Sequence, residues 1–169
     1  SSIAAWAGTA GRPAERQCAG LRFLDLYAGI GGVGLEAASR GASRVVLVEH
    51  DPATAALIRR NLTATRLQGT VIPLDAQVYL GSSPAEEFDV IFADPPYALD
   101  DSRLTVVLAA VVDRGWLASD GLLVVERASR DPQPRWPSGI GLPQERRYGE
   151  TVLYYCQAAT RPAQSDDQE

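Results

Sequence analysis

Short apolar runs and amphipathic stretches alternate along this chain in a regular order. Residues 21–26 are an apolar run with Asp25 near its end and glycines after it, the pattern of a buried strand feeding a turn. Residues 33–40 read as a helix stopped by Gly41. Residues 44–48 (RVVLV) are a second buried strand, ending at Glu49. Asp51 then offers an N-cap, Pro52 takes the first helical position, and the helix that follows sets Ala56, Ile58 and Leu62 among polar partners. Residues 70–74 form a third strand ending at Asp75, with a short helix at 76–80. Residues 88–93 (FDVIFA) are a fourth strand, which delivers Asp94-Pro95-Pro96-Tyr97. A helix at 101–112 and a fifth strand at 121–126 (GLLVVE) follow.

After a proline-rich connection, residues 145–148 and 151–156 are spaced to pair as an antiparallel hairpin around Gly149 and Glu150. Strands alternating with helices predict a doubly wound, Rossmann-like α/β sheet, mostly parallel with a C-terminal antiparallel hairpin. Residues 21–157 form the expected domain. Residues 158–169 read as a disordered acidic tail, and there are no internal repeats.

Composition narrows the picture. A chain of 169 residues is long enough for one domain with a real core, and no apolar run approaches the roughly 18 residues of a membrane span. No secretory signal opens the chain, so a cytoplasmic location is expected. Cys18 and Cys156 are too few for a disulfide framework and read as buried or incidental thiols, and with His50 as the single histidine no metal site is expected. The net charge of −5 argues against non-specific nucleic-acid binding by the whole molecule. Locally the balance reverses: between Arg127 and Arg147 five arginines face only Asp131 and Glu145, a candidate phosphate-contacting surface.

Two motifs carry chemistry. Gly29-Ile30-Gly31-Gly32-Val33-Gly34 is a G-x-G-x-x-G with Glu49 twenty residues after Gly29, the layout of a dinucleotide site. The same layout serves S-adenosylmethionine, so the glycines alone do not choose. The strand ends do: Asp25, Glu49, Asp75 and Asp94 bring four carboxylates to one edge of the sheet. Such an edge suits a sulfonium and an ammonium, and repels a pyrophosphate.

Asp94-Pro95-Pro96-Tyr97 is the D-P-P-Y of methyltransferases that act on the exocyclic amino nitrogen of a base. That nitrogen is a weak nucleophile because its lone pair is delocalised into the ring. The Asp94 carboxylate and the Pro95 carbonyl can accept from its two N–H groups and aim the lone pair at a methyl donor. Consecutive prolines stiffen the turn and offer no competing N–H. Tyr97 presents a face on which an extruded base can stack. Attack does not require prior deprotonation, so the aspartate needs no raised pKa and a nearly flat rate above about pH 6 is expected.

The chain resembles the bacterial 16S ribosomal RNA guanine-N2 methyltransferases of the RsmD type. The resemblance rests on residues 24–42 (LDLYAGIGGVGLEAASRGA), V-E-x-D at 48–51, Asn61, Asp75-Ala76, D-P-P-Y at 94–97, G-W-L at 115–117, V-V-E-R at 124–127 and R-x-Y-G-x-T-x-L at 146–153. It implies a class I methyltransferase fold, S-adenosylmethionine as cofactor, and a guanine of 16S ribosomal RNA or of the assembling small subunit as target, with a monomeric enzyme. Asp25, Ala28, Gly29 and Gly31 would line the methionine end, with Tyr27 and Gly34 also at the cofactor, Glu49 would hold the ribose with His50 beside the adenine, and Asp75 and Ala76 would read the adenine edge. Asp94, Pro95, Pro96 and Tyr97 would hold the target amine, and Arg127, Arg146, Arg147 and Tyr148 the RNA. Ile30 departs from the small polar residue usual in the family. Relatives open with a basic segment and a β-hairpin; residues 1–20 are expected to be the remnant of such a segment, with residues 1–6 the end of the helix after it.

Two other readings remain open at this point, and a third is set aside. A DNA adenine-N6 methyltransferase shares D-P-P-Y but would want a target-recognition domain. A non-catalytic S-adenosylmethionine-binding module would keep the pocket without transfer. An NAD-dependent oxidoreductase built on a tyrosine–lysine pair is excluded by the absence of lysine.

Overall fold

In the computed structural model, which describes residues 17–160, seven strands form one sheet in the order β3-β2-β1-β4-β5-β7-β6. The parallel part comprises β1 (Arg22–Asp25), β2 (Arg44–Val48), β3 (Thr70–Ile72), β4 (Phe88–Ala93) and β5 (Leu117–Ala128). The antiparallel hairpin of β6 (Gln144–Tyr148) and β7 (Thr151–Gln157) completes it, with β7 inserted beside β5. Helices α1 (Gly32–Ser39) and α2 (Pro52–Thr65) cover one face, and α3 (Ala76–Leu80) and α4 (Asp101–Asp113) the other.

Local sequence explains most boundaries. Asp51 caps α2 by accepting from the Thr54 amide at 2.9 Å, ahead of Pro52. The inward row of that helix is Ala55, Ile58 and Leu62. Ala56, expected inside, is exposed, because the i, i+3, i+7 spacing starts one residue earlier. β3 stops at Ile72 rather than 74, since Pro73 has no N–H to continue the ladder. β5 begins earlier than expected: Leu117 pairs with Phe88, then the register jumps so that Val90 meets Leu122. The excursion is absorbed at Asp120, with φ 59°, and at Gly121, whose missing Cβ would lie 2.7 Å from the Ala118 carbonyl.

The core is two-sided. Leu24, Val46, Ile91 and Leu123 face α3 and α4, while Phe23, Val45, Leu47 and Val90 face α1 and α2. Gly34 lets α1 sit close on the sheet: a Cβ there would lie 2.5 Å from Leu47 Cδ2, in a fully buried position. The proline-rich connection is tied down, with Trp136 packed on Tyr154 at 5.4 Å between ring centroids. Cys18 and Cys156 are buried free thiols. The start of the expected disordered tail is ordered instead: the Ala158 amide donates to Gly121 and that of Ala159 to Gly139. The remainder of that tail and the expected helix end at residues 1–6 lie outside the described residues.

Candidate active site

Strand parity decides where the terminal side chains point. Asp25 shares the face of Phe23, Glu49 that of Val45 and Leu47, and Asp94 that of Val90 and Phe92. Glu126 shares the face of Leu122 and Val124. The strand order therefore sets Glu49, Asp25, Asp94 and Glu126 in a row along the carboxyl edge, on the α1–α2 face. This edge flanks the point where the chain reverses direction across the sheet, between β1 and β4, where ligands of such sheets bind.

Beside the row opens a cleft of about 560 Å³. Of the residues expected at the cofactor, Asp25, Tyr27, Ala28, Gly29, Glu49, His50, Asp75 and Ala76 line it. Asp25 is 1% exposed, and burial pushes its carboxyl up to about 7 against the amides of Gly34 and Tyr27, which favour the charged form. Its Oδ1 has no hydrogen-bond partner. A buried carboxylate oxygen without a donor, in a cleft lined by further acids, fits an ammonium or sulfonium group and does not fit a pyrophosphate. Burial also drives the Tyr27 hydroxyl up to about 12, so it stays neutral.

Glu49 holds the glycine loop. Its Oε2 accepts from the Gly29 amide at 2.8 Å and its Oε1 from the Asp51 amide at 3.1 Å. Each oxygen keeps a lone pair for an incoming hydroxyl. Asp75 is exposed at the rim and caps α3 by accepting from the Gln77 amide at 2.9 Å. Ile30 is 72% exposed over the mouth of the cleft.

Two of the expected cofactor glycines do not line the cleft. Gly34 is withdrawn beneath α1, where it packs on Leu47. Gly31 caps α1 with φ 86°, and a Cβ there would lie 3.2 Å from Ile58 Cγ2. Gly32 and Val33, which the motif reading passed over, reach the cleft instead. So do Phe92, Leu99 and Arg103, the last from the first turn of α4. Strand parity could have found Phe92, and the helical spacing from Asp100 could have found Arg103.

Beyond the cleft lies the D-P-P-Y turn. Asp94 and Pro96 line the cleft wall, Pro95 is buried, and Tyr97 projects at 88% exposure. The turn closes with the Leu99 amide donating to Pro96, and Asp100 caps α4 through the Arg103 amide at 2.8 Å. The Arg130 guanidinium lies 5.9 Å from the Tyr97 ring centroid.

The expected RNA-contacting arginines separate by face. Arg127 points to the α3–α4 side, nearly buried, and is held by Asp101 at 3.2 Å and Asp131 at 3.9 Å. Those ion pairs engage the guanidinium that was expected to meet phosphate. Arg146 pairs with Leu153 and so shares the face of Glu126 and Asp94. Arg147 pairs with Val152, on the opposite face, and sits 3.9 Å from Glu145. Tyr148 is half-exposed two residues beyond Arg146 and on its side of the strand.

A parallel α/β sheet with an antiparallel strand inserted next to the last position, carrying acidic strand ends and D-P-P-Y, defines a class I methyltransferase. Over residues 12–157 the chain matches the family described as conserved hypothetical protein 95, and it belongs to that family, the RsmD family. It is 31% identical over 138 residues to ribosomal RNA small subunit methyltransferase D of Escherichia coli K12, covering 80% of this chain and 68% of that one. A conserved hypothetical protein of Streptococcus pyogenes superposes with a TM-score of 0.74 at 30% identity, covering 83% of this chain and 87% of that one. The 16S rRNA N2 G1207 methyltransferase RsmC of Thermus thermophilus, solved with AdoMet and guanosine, shares the fold with a TM-score of 0.67 at 22% identity, over 95% of this chain and 43% of that one.

Proposed function

We propose that this protein is an S-adenosylmethionine-dependent methyltransferase acting on the exocyclic N2 amino group of a guanine in 16S ribosomal RNA. The observation that carries the reading is the adjacency of two differently dressed acids at neighbouring strand ends. Asp25 is buried, with one oxygen lacking a donor, and Asp94 stands exposed at the cleft wall within D-P-P-Y. The first suits a cation held inside, the second an amine presented from outside. Membership of a family that includes a ribosomal RNA small subunit methyltransferase supports the substrate class.

On this reading Asp25 holds the cofactor's α-ammonium and Glu49 its ribose hydroxyls. His50, Asp75 and Ala76 border the adenine. When bound, S-adenosylmethionine would supply an electrophilic methyl group to the target nitrogen. Asp94 and the Pro95 carbonyl would accept from the two N–H groups and fix the nitrogen's approach, and the surplus proton would pass to solvent water at the exposed turn. Tyr97 supports the extruded base. Arg146 and Tyr148 flank the entry, about 14 Å from Asp94 by three strand spacings. We place the reaction in the cytoplasm, on a monomeric enzyme. Among the described residues no helix is long and apolar enough to cross a membrane.

The test is direct. Labelled S-adenosylmethionine is offered with small subunits, naked 16S RNA and duplex DNA, and the modified base is identified. Label on guanine N2 of 16S RNA is the expected outcome; label on DNA adenine overturns the substrate. Asp94→Asn keeps one acceptor oxygen but loses the charge. Single-turnover transfer at saturating cofactor should fall by two to four decades, roughly 3–5 kcal/mol of transition-state stabilisation. Near-normal transfer by Asp94→Asn removes the proposed role.

A further inference from the structure

Glu126 has no part in the chemistry so far, yet it completes the acidic row. Register sets it beside Asp94: Ala93 pairs with Val125 across parallel strands, so the next residue of each meets its neighbour, and both side chains take the same face. Its neighbour on the other side is Leu153 of β7, which carries no charge. Arg127, the next residue of its own strand, is turned to the opposite face and engaged by Asp101 and Asp131. On this face Asp94 is the lateral neighbour of Glu126, and Arg146 lies beyond Leu153 on β6. Two carboxylates side by side repel each other, and one proton shared between them removes the repulsion and supplies a hydrogen-bond donor.

We infer that Glu126 is a positioning residue for methyl transfer: it holds the proton of the pair, donates it to one Asp94 oxygen, and leaves the other oxygen turned to the target amine. The inference rests on the reading of Asp94 as the acceptor of that amine. Desolvation first, then the bond to Asp94 and the charge of Asp94, push the Glu126 carboxyl up to about 7. Below that pH the donor is present and Asp94 is clamped. Above it Glu126 ionises, the bond is lost, and two like charges stand side by side. Transfer should then slow.

Single-turnover transfer at saturating cofactor is measured from pH 5.5 to 9 on the wild type, Glu126→Gln and Glu126→Ala. Glutamine keeps an N–H donor that does not titrate, so Glu126→Gln should transfer within a few-fold of the wild type at pH 6 and lose the descending limb near pH 7. Glu126→Ala should be about 10- to 100-fold slower than the wild type at pH 6 and lack the descending limb, with cofactor affinity by calorimetry unchanged. A descending limb retained in Glu126→Gln overturns the inference, as does full-rate transfer by Glu126→Ala. Carbon-13 NMR of the side-chain carboxyls supplies a readout that needs no RNA. The Glu126 resonance should titrate near pH 7, and Asp94→Asn should move its midpoint down; an ordinary Glu126 midpoint overturns the pair. If the NMR result holds while no preparation methylates guanine, the substrate reading has failed and the carboxyl pair has not.

Discussion

Asp25 differs from its neighbours in the row because the sheet and α1 close over it, leaving 1% exposed. Its folded value of about 7 lies above the ordinary 3.8, so the folded protein keeps a proton that the unfolded chain sheds. The group's contribution to stability is present below about pH 4, falls as pH rises to about 7, and is level beyond. A bound ammonium favours the charged form. S-adenosylmethionine binding near pH 6.5 should therefore expel a proton, and affinity should rise with pH until about 7. Calorimetry in two buffers of different ionisation heat measures the release. Asp25→Asn should abolish it and weaken binding by about 2–3 kcal/mol; proton release that survives the substitution would place the titrating group elsewhere. Single residues were legible in the sequence where a motif marked them, as at Asp94, or where a strand ended on an acid, as at Asp25. Glu126 also ends the fifth strand expected from sequence, but its partner is set by register between β4 and β5, which one-dimensional spacing does not encode. The flat pH dependence expected from Asp94 alone changes once that partner is known.

Among elements, the edge strand β6 is the informative one. The sequence showed a basic stretch but treated its arginines as one surface. Pairing with β7 splits them, Arg146 toward the acidic row and Arg147 away from it. Alternation along a strand is elementary, yet which face is the working one depends on the insertion of β7 beside β5. The two arginines give opposite expectations under one assay. Arg146→Ala should weaken RNA binding and reduce the slope of log K against log salt by about one unit. Arg147→Ala should leave both close to the wild type. Equal effects from the two would show that RNA wraps the edge rather than crossing the face. Helix and strand order was readable almost throughout, because the apolar runs and caps are strong. The early start of β5 was not, since Leu117 pairs with Phe88 across a register shift that Asp120 and Gly121 absorb, a tertiary feature without a local sequence signal.

For the molecule as a whole, the sheet order separates two cofactor classes that the glycine motif leaves joined. The dinucleotide order ends in a parallel strand, whereas here β7 runs antiparallel between β5 and β6. The molecule carries a net charge of −5, and the cleft adds Asp25, Glu49, Asp75 and Asp94 at one edge. A cationic ligand should stabilise such a protein and an anionic dinucleotide should not. S-adenosylmethionine at 100 times its dissociation constant should add about 2.7 kcal/mol, or roughly 5–11 °C in Tm for a chain of this size. NAD at the same concentration should leave Tm unchanged. A comparable upward shift with NAD would undo the cofactor assignment.

The bond from the Gly29 amide to Glu49 has a kinetic consequence. Because the carboxylate proposed to meet the ribose also anchors the glycine loop, the loop is set before a ligand arrives. Little conformational freedom remains to be lost on binding, and capture does not wait for a rearrangement. Stopped-flow mixing should show one bimolecular phase whose rate rises linearly with cofactor concentration. Glu49→Gln can still accept the Gly29 bond but not both bonds as before, and should introduce a slow, concentration-independent step. A plateau in the wild-type rate would mean that the loop opens and closes after all, and that the cleft is a gate rather than a mould.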